Sequence, residues 1–127
     1  GALIRQLCFR EMGRMFTYQL SLREKHRLVT TGPYFVVRHP SYIGMLMVMV
    51  GTTLCVLAAP GTWWTEAGMM GTHSGKVMVG VWVSLWLVVL SLVSRAGKED
   101  VMLRGEFRAE WEEYVDRVPY RMVPGLI

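Results

Sequence analysis

Arg38-His39-Pro40-Ser41-Tyr42 stands at the head of a run, residues 42–59, that contains no Asp, Glu, Lys or Arg. A cationic, hydrogen-bonding cluster is costly beside an apolar phase, so its position calls for a use. The polar residues that can join it are Gln19, His26, Tyr34, Arg95 and Glu99. Arg95 and Glu99 are four apart and share a helix face, where an arginine reaches an anion and a glutamate holds a cation. The chemistry implied is a meeting of a charged small molecule with a lipid-soluble one at a membrane–water boundary. The same residues also fit plainer roles. Composition alone favours a surface ion pair for Arg95 and Glu99, and a basic flank to a span for Arg38-His39.

Several chemistries lack their residues. There is no Gly-x-Gly-x-x-Gly turn, no phosphate loop, no His/Cys metal box and no Gly-x-Ser-x-Gly elbow. Cys8 and Cys55 are the two cysteines, in settings that argue against a disulfide, and neither sits at metal spacing. The net charge of +4 is divided between two segments flanking apolar runs. It reads as topology and headgroup attraction, not nucleic-acid binding.

The elements that must position this set are two apolar helices. Residues 42–59 and 77–93 are both uncharged, and 52% of the chain is hydrophobic. At ~1.5 Å per residue each helix spans roughly 26–27 Å, close to a reticulum-type bilayer of ~27 Å. The expected spans are about 41–59 and 77–94. Seven Lys/Arg precede Tyr42, six follow Val93, and the loop 60–75 has none. The positive-inside rule puts both ends in the cytoplasm, with Trp63 and Trp64 as an interfacial belt on the other side. Pro40 is placed to begin the first span, because its predecessor His39 is pushed out of helical conformation. Gly44 and Gly51 share a face of that span, which would allow close helix approach, although glycine is equally expected there as a common residue of membrane helices.

The flanks are expected to be amphipathic helices. Ile4, Leu7, Cys8, Met12, Met15 and Phe16 form a stripe, with Arg5, Arg10 and Arg14 off it. Thr31-Gly32-Pro33 is a turn or a helix start capped by Thr31. Leu103, Phe107, Trp111, Tyr114 and Val118 step four, four, three and four, which predicts one cytoplasmic helix over about 98–118, ended by Pro119. The tail after it is expected to lie extended against the core. The fold class is an all-α integral membrane protein: a transmembrane helical hairpin with flanking amphipathic helices, as one domain over 1–127. Gly1 in place of Met suggests that the N-terminus is a cut end and that earlier spans are missing.

The run His26-Arg27-Leu28-Val29-Thr30-Thr31-Gly32-Pro33-Tyr34, followed by Arg38-His39-Pro40-Ser41-Tyr42-Ile43-Gly44, resembles the isoprenylcysteine carboxyl methyltransferases. Arg95 with Glu99-Asp100, and Phe107 through Trp111-Glu112-Glu113-Tyr114 to Arg117-Val118-Pro119, are similar to that family's C-terminal part. The family commonly has paired Glu where this chain has Glu99-Asp100. The resemblance implies a multi-span enzyme of the endoplasmic reticulum membrane. It would transfer a methyl group from S-adenosyl-L-methionine to the C-terminal carboxylate of a prenylated cysteine on a protein partner. The implied cofactor residues are Gln19, His26, Arg27, Leu28, Val29, Tyr34, His39, Pro40, Ser41, Tyr42 and Glu99; Arg95 matches the position associated with the substrate carboxylate. No general acid or base and no metal are implied, since an α-carboxyl with a pKa of ~3.3–3.7 is already an anion at neutral pH. Membrane sterol reductases using NADPH offer a second resemblance, through an Arg-His-x-Asn-Tyr-type motif and an ending like residues 118–124. His39-Pro40-Ser41 and residues 26–30 fit the methyltransferases better. A phospholipid or small-molecule methyltransferase, and an inactive membrane hairpin, complete the alternatives.

Overall fold

The computed structural model describes residues 1–13 and 28–125, and among these every regular element is helical. Helix α1 is Ala2–Met12. A 3-10 turn, Gly32–Phe35, leads to α2, Pro40–Thr53, whose end widens into a π-helical turn, Leu54–Ala58. A short α3, Trp63–Glu66, and a second 3-10 turn, Met69–Gly71, precede α4, His73–Ser94. Then come α5, Ala96–Phe107, and α6, Ala109–Arg117.

Two helices are long and apolar enough to cross a membrane. The first is α2 with its π-turn, and it starts at Pro40 as the sequence predicts. The second is α4, which begins at His73, four residues before the expected start. Neither resembles a soluble core helix: their apolar windows are 11% and 6% buried. Val81, Leu87 and Val88 are more than half exposed, a surface suited to hydrocarbon.

The two helices meet through one hydroxyl. Thr53 Oγ1 donates to the Met49 carbonyl at 2.7 Å and accepts from the indoles of Trp82 and Trp86 at 3.0 and 3.1 Å. One donor and two lone pairs are thereby all used. Trp82 and Trp86 are one helical turn apart on α4, which lets both reach the same oxygen.

Of the two glycines expected to admit a close neighbour, the structure uses one. A Cβ on Gly44 would sit 2.9 Å from the Gly1 carbonyl and from Arg5 Cγ, whereas one on Gly51 would meet nothing within 4 Å. Helix α1 crosses α2 at Gly44. Arg5 was expected to point away from the apolar stripe. Instead Nη1 lies 3.3 Å from both the carbonyl and the hydroxyl of Ser41, and its guanidinium stacks 5.1 Å over Phe9. The carbonyl and hydroxyl oxygens of Ser41 are both acceptors, and together they hold the guanidinium against the first turn of α2.

Three further expectations change. Trp64 is 3% exposed and Trp63 65%, so one indole belongs to the interior and the pair is no belt. Thr31 precedes the 3-10 turn, but its hydroxyl donates to Glu11 Oε2 at 2.7 Å instead of capping. The single helix over 98–118 is two helices, broken at Arg108 with φ 44°. A non-glycine residue there costs of order 1–3 kcal/mol. The bend lets Leu103 and Phe107 on α5 pack with Trp111, Tyr114 and Val118, together with Leu28, in one apolar cluster. Met15, Phe16 and Arg14 lie outside the described residues.

Thr53→Val should lower thermal stability in detergent by about 1 kcal/mol, because two indole N–H groups lose their acceptor. Thr52→Val, whose hydroxyl bonds only the Val48 and Met49 carbonyls of its own helix, should change it much less. Differential scanning fluorimetry on the two variants makes the comparison.

Candidate active site

Where α2 begins, the chain has just left the 3-10 turn that carries Tyr34. Gly32 makes that turn possible: its φ is 62°, and a Cβ would lie 2.8 Å from Glu11 Cγ. His39 then takes the position before the helix, with Pro40 as its first residue. The two backbone N–H groups ahead of Pro40 are satisfied from far away in sequence. Arg38 N–H donates to the Tyr120 carbonyl at 3.0 Å, and His39 N–H to the Arg121 carbonyl at 2.8 Å. The tail does pack back on the core.

This clamp brings α5 against the start of α2. His39 is 6% exposed. Its Nε2 is 2.7 Å from Asp100 Oδ1, and its Nδ1 is 3.5 Å from Glu99 Oε2. Tyr42, one turn into α2, donates to Glu99 Oε1 at 2.5 Å. Asp100 Oδ2 accepts from Arg38 Nη1 at 3.1 Å and from Arg121 Nε at 2.8 Å. Arg38 Nη2 also donates to the Pro119 carbonyl at 2.8 Å. The consecutive acidic residues have divided their work. Asp100 is enclosed, whereas the Glu99 side chain keeps 25% of its surface open.

Burial opposes charge on all three groups, and the partners outweigh it. Desolvation disfavours the His39 cation, but bonds to Asp100 and Glu99 hold its pKa above the usual imidazole value. Glu99 is likewise opposed by burial and held below the carboxylate range by His39, Tyr42 and the charge of Arg95. Asp100 is held down by His39, Arg38 and Arg121 against the same penalty.

The structure thus gathers His39, Pro40, Ser41, Tyr42 and Glu99 from the sequence-predicted set. Arg95 closes α4, with its carbonyl accepting the Glu99 N–H at 2.9 Å, so the two do follow one helical path. Tyr34 is a packing link: its hydroxyl donates to Met12 Sδ at 3.0 Å and its carbonyl accepts from Tyr114 at 2.7 Å. Leu28 packs into the α5–α6 cluster, and Val29 lies half-buried in irregular chain. Gln19, His26 and Arg27 lie outside the described residues. Sequence reasoning missed Asp100, Arg121 and Arg5. The acidic pair at 99–100 was visible, but only as a departure from two glutamates.

The molecule is therefore a helical protein with two membrane-length apolar helices and a buried ionic site where they emerge. Comparison with known proteins narrows this. The profile of the isoprenylcysteine carboxyl methyltransferase (ICMT) family matches residues 1–69. A probable protein-S-isoprenylcysteine O-methyltransferase of Oryza sativa subsp. indica is 31% identical over 121 residues, covering 93% of this chain and 53% of that protein. Protein-S-isoprenylcysteine O-methyltransferase B of Arabidopsis thaliana is 44% identical over 54 residues, 41% of this chain and 27% of its own length. A delta(14)-sterol reductase of Septoria lycopersici is 27% identical over 108 residues, 79% of this chain and 21% of its own. No solved structure matches. This chain belongs to the isoprenylcysteine carboxyl methyltransferase family, and it spans about half the length of the rice relative.

The shifts fix a stability profile. A histidine whose folded pKa is raised stabilises fully below its unfolded value of ~6.5 and loses that contribution as pH rises through the folded value. Glu99 and Asp100 stabilise above the ordinary carboxylate range, ~4, and lose it as pH falls through their lowered values. The gap in melting temperature between the wild type and His39→Gln should be widest between these limits and narrow on the alkaline side. Thermal unfolding in detergent across a pH series from about 5 to about 9 measures it.

Proposed function

We propose that this chain carries the catalytic portion of an S-adenosyl-L-methionine-dependent methyltransferase acting on the C-terminal carboxylate of prenylated cysteine. The observation that supports it best is the meeting of His39 and Tyr42 with Glu99. The Arg-His-Pro-Ser-Tyr block and the acidic pair, 57 positions apart between Tyr42 and Glu99, form one wall in a chain of this family.

The donor set fits the cofactor. S-adenosyl-L-methionine is cationic at sulfur and at its amino group, and it supplies a methyl already activated by the sulfonium charge. Glu99 offers a partly open carboxylate whose orientation is fixed by Tyr42 and His39. Asp100 is fully occupied by Arg38, His39 and Arg121 and serves the frame. Pro40 and Ser41 would shape the cofactor wall between them; the family resemblance would add contacts from Gln19, His26, Arg27 and Val29, while Leu28 and Tyr34 would support the wall through packing.

Little acid–base work is required. The acceptor carboxylate is ionised at neutral pH. What the residues must do is hold it in line with the methyl group and close to it, the positioning that makes two reactants behave as one. Arg95, at the end of α4 and one turn before Glu99, would grip that carboxylate. Its grip must stay moderate, because charge is neutralised in the transition state and a tightly bound anion would be a deeper ground state. The prenyl chain would rest in the bilayer, gaining ~0.8 kcal/mol per buried methylene. The charge distribution supports a topology in which both described ends would face the cytoplasm, and the family resemblance suggests a reticulum membrane.

The similarity to a sterol reductase supports a second reading, in which the same wall binds NADPH. Titration of the detergent-solubilised protein separates them: S-adenosylhomocysteine should bind and NADPH should not. Preference for NADPH sinks the methyltransferase reading, and binding of neither leaves an inert hairpin. With N-acetyl-S-farnesylcysteine as acceptor, Arg95→Ala should lose at least tenfold in methyl transfer. Undiminished transfer would remove Arg95 from its role.

A further inference from the structure

Asp100 joins three parts of the chain that are distant in sequence. His39 and Arg38 reach it from the start of α2, and Arg121 from the tail. It is 6% exposed, so its carboxylate is largely withdrawn from water. Arg121 is fastened twice: its guanidinium holds Asp100 and its carbonyl takes the His39 N–H.

Each ring nitrogen of His39 faces a carboxylate oxygen. A neutral imidazole has one N–H and one lone pair, so one of the two contacts would set a lone pair against an anion. Only the imidazolium donates on both sides. Its Nδ1 side bears on Glu99, the carboxylate with open surface. The charged groups around His39 are Arg38 beside it, Tyr42 and Arg95 acting through Glu99, Glu99 itself, Asp100, and Arg121 beyond Asp100.

We propose that Asp100 and Arg121 are positioning residues with opposed effects: Asp100 keeps His39 an imidazolium, Arg121 tempers that hold, and the balance fixes the Glu99 carboxylate for a cationic ligand. Asp100 supplies the anion that favours the ring's second proton. Arg121 offsets part of that anion, and so sets the charge on His39 from the far end of the chain. This rests on the reading of Glu99 as a cofactor contact, but the state of His39 can be read without any cofactor.

The two residues act with opposite sign, which a merely structural role would not do. Label the three histidines with 13C and follow the His39 ring by NMR against pH in detergent, assigning it by its loss in His39→Gln. In Asp100→Asn the midpoint should fall by about one pH unit or more, as expected when a neighbouring anion is removed. In Arg121→Gln it should rise, because the offsetting cation is gone. The alkaline limb of S-adenosylhomocysteine binding should move in the same two directions. Midpoints that stay in place, or that move the same way in both variants, overturn the proposal. If Asp100→Asn does not fold, Arg121→Gln decides alone: the Arg121 side chain is 47% exposed, so its loss is tolerable, and an unmoved or lowered midpoint is refutation. Midpoints that move as stated in a protein that binds no S-adenosylhomocysteine uphold the control of His39 and refute the proposed function.

Discussion

A buried charge at the edge of an apolar phase has to be matched completely, and the rest of this structure follows from that demand. Asp100 sits where α5 meets the start of α2. An isolated carboxylate there would cost several kcal/mol, so it survives only by recruiting cations. The recruits come from both ends of the described chain, Arg38 and His39 on one side and Arg121 on the other. Their convergence makes the tail run past His39 and holds α5 beside the start of α2, with the Glu99 side chain left partly open.

The same economy of satisfaction appears inside the apolar region. Thr53 shares one hydroxyl among a helix carbonyl and two indoles. At the other end, Arg5 is turned inward to the Ser41 carbonyl at the first turn of α2.

Much of this plan was legible in the sequence. Absence of charge over 42–59 and 77–93 announces two long helices, and Pro40 announces where the first begins. The Arg-His-Pro-Ser-Tyr block and the pair at 99–100 announce the site. What stayed hidden is what depends on distance in space. Asp100 bonds residues 61 and 62 positions earlier, which no local pattern records. The break at Arg108 is hidden for another reason: an apolar stripe at helical spacing looks the same whether its helix is straight or bent to gather that stripe into one cluster. Trp63 and Trp64 are adjacent and alike, yet a one-residue step around a helix separates an exposed ring from a buried one.

The clamp of the tail on Arg38 and His39 has a consequence in the order of synthesis. Arg38 and the Pro119 carbonyl it holds are 81 residues apart. A ribosome makes α2 and α4 first, and both can enter a membrane while Asp100, and then Arg121, are still to be added. Until the tail emerges, His39 lacks its backbone partner and Asp100 one of its cations. Insertion and completion of the ionic site are thus separate events on the nascent chain, and a polypeptide that has found its membrane is not yet one whose ionic site is whole.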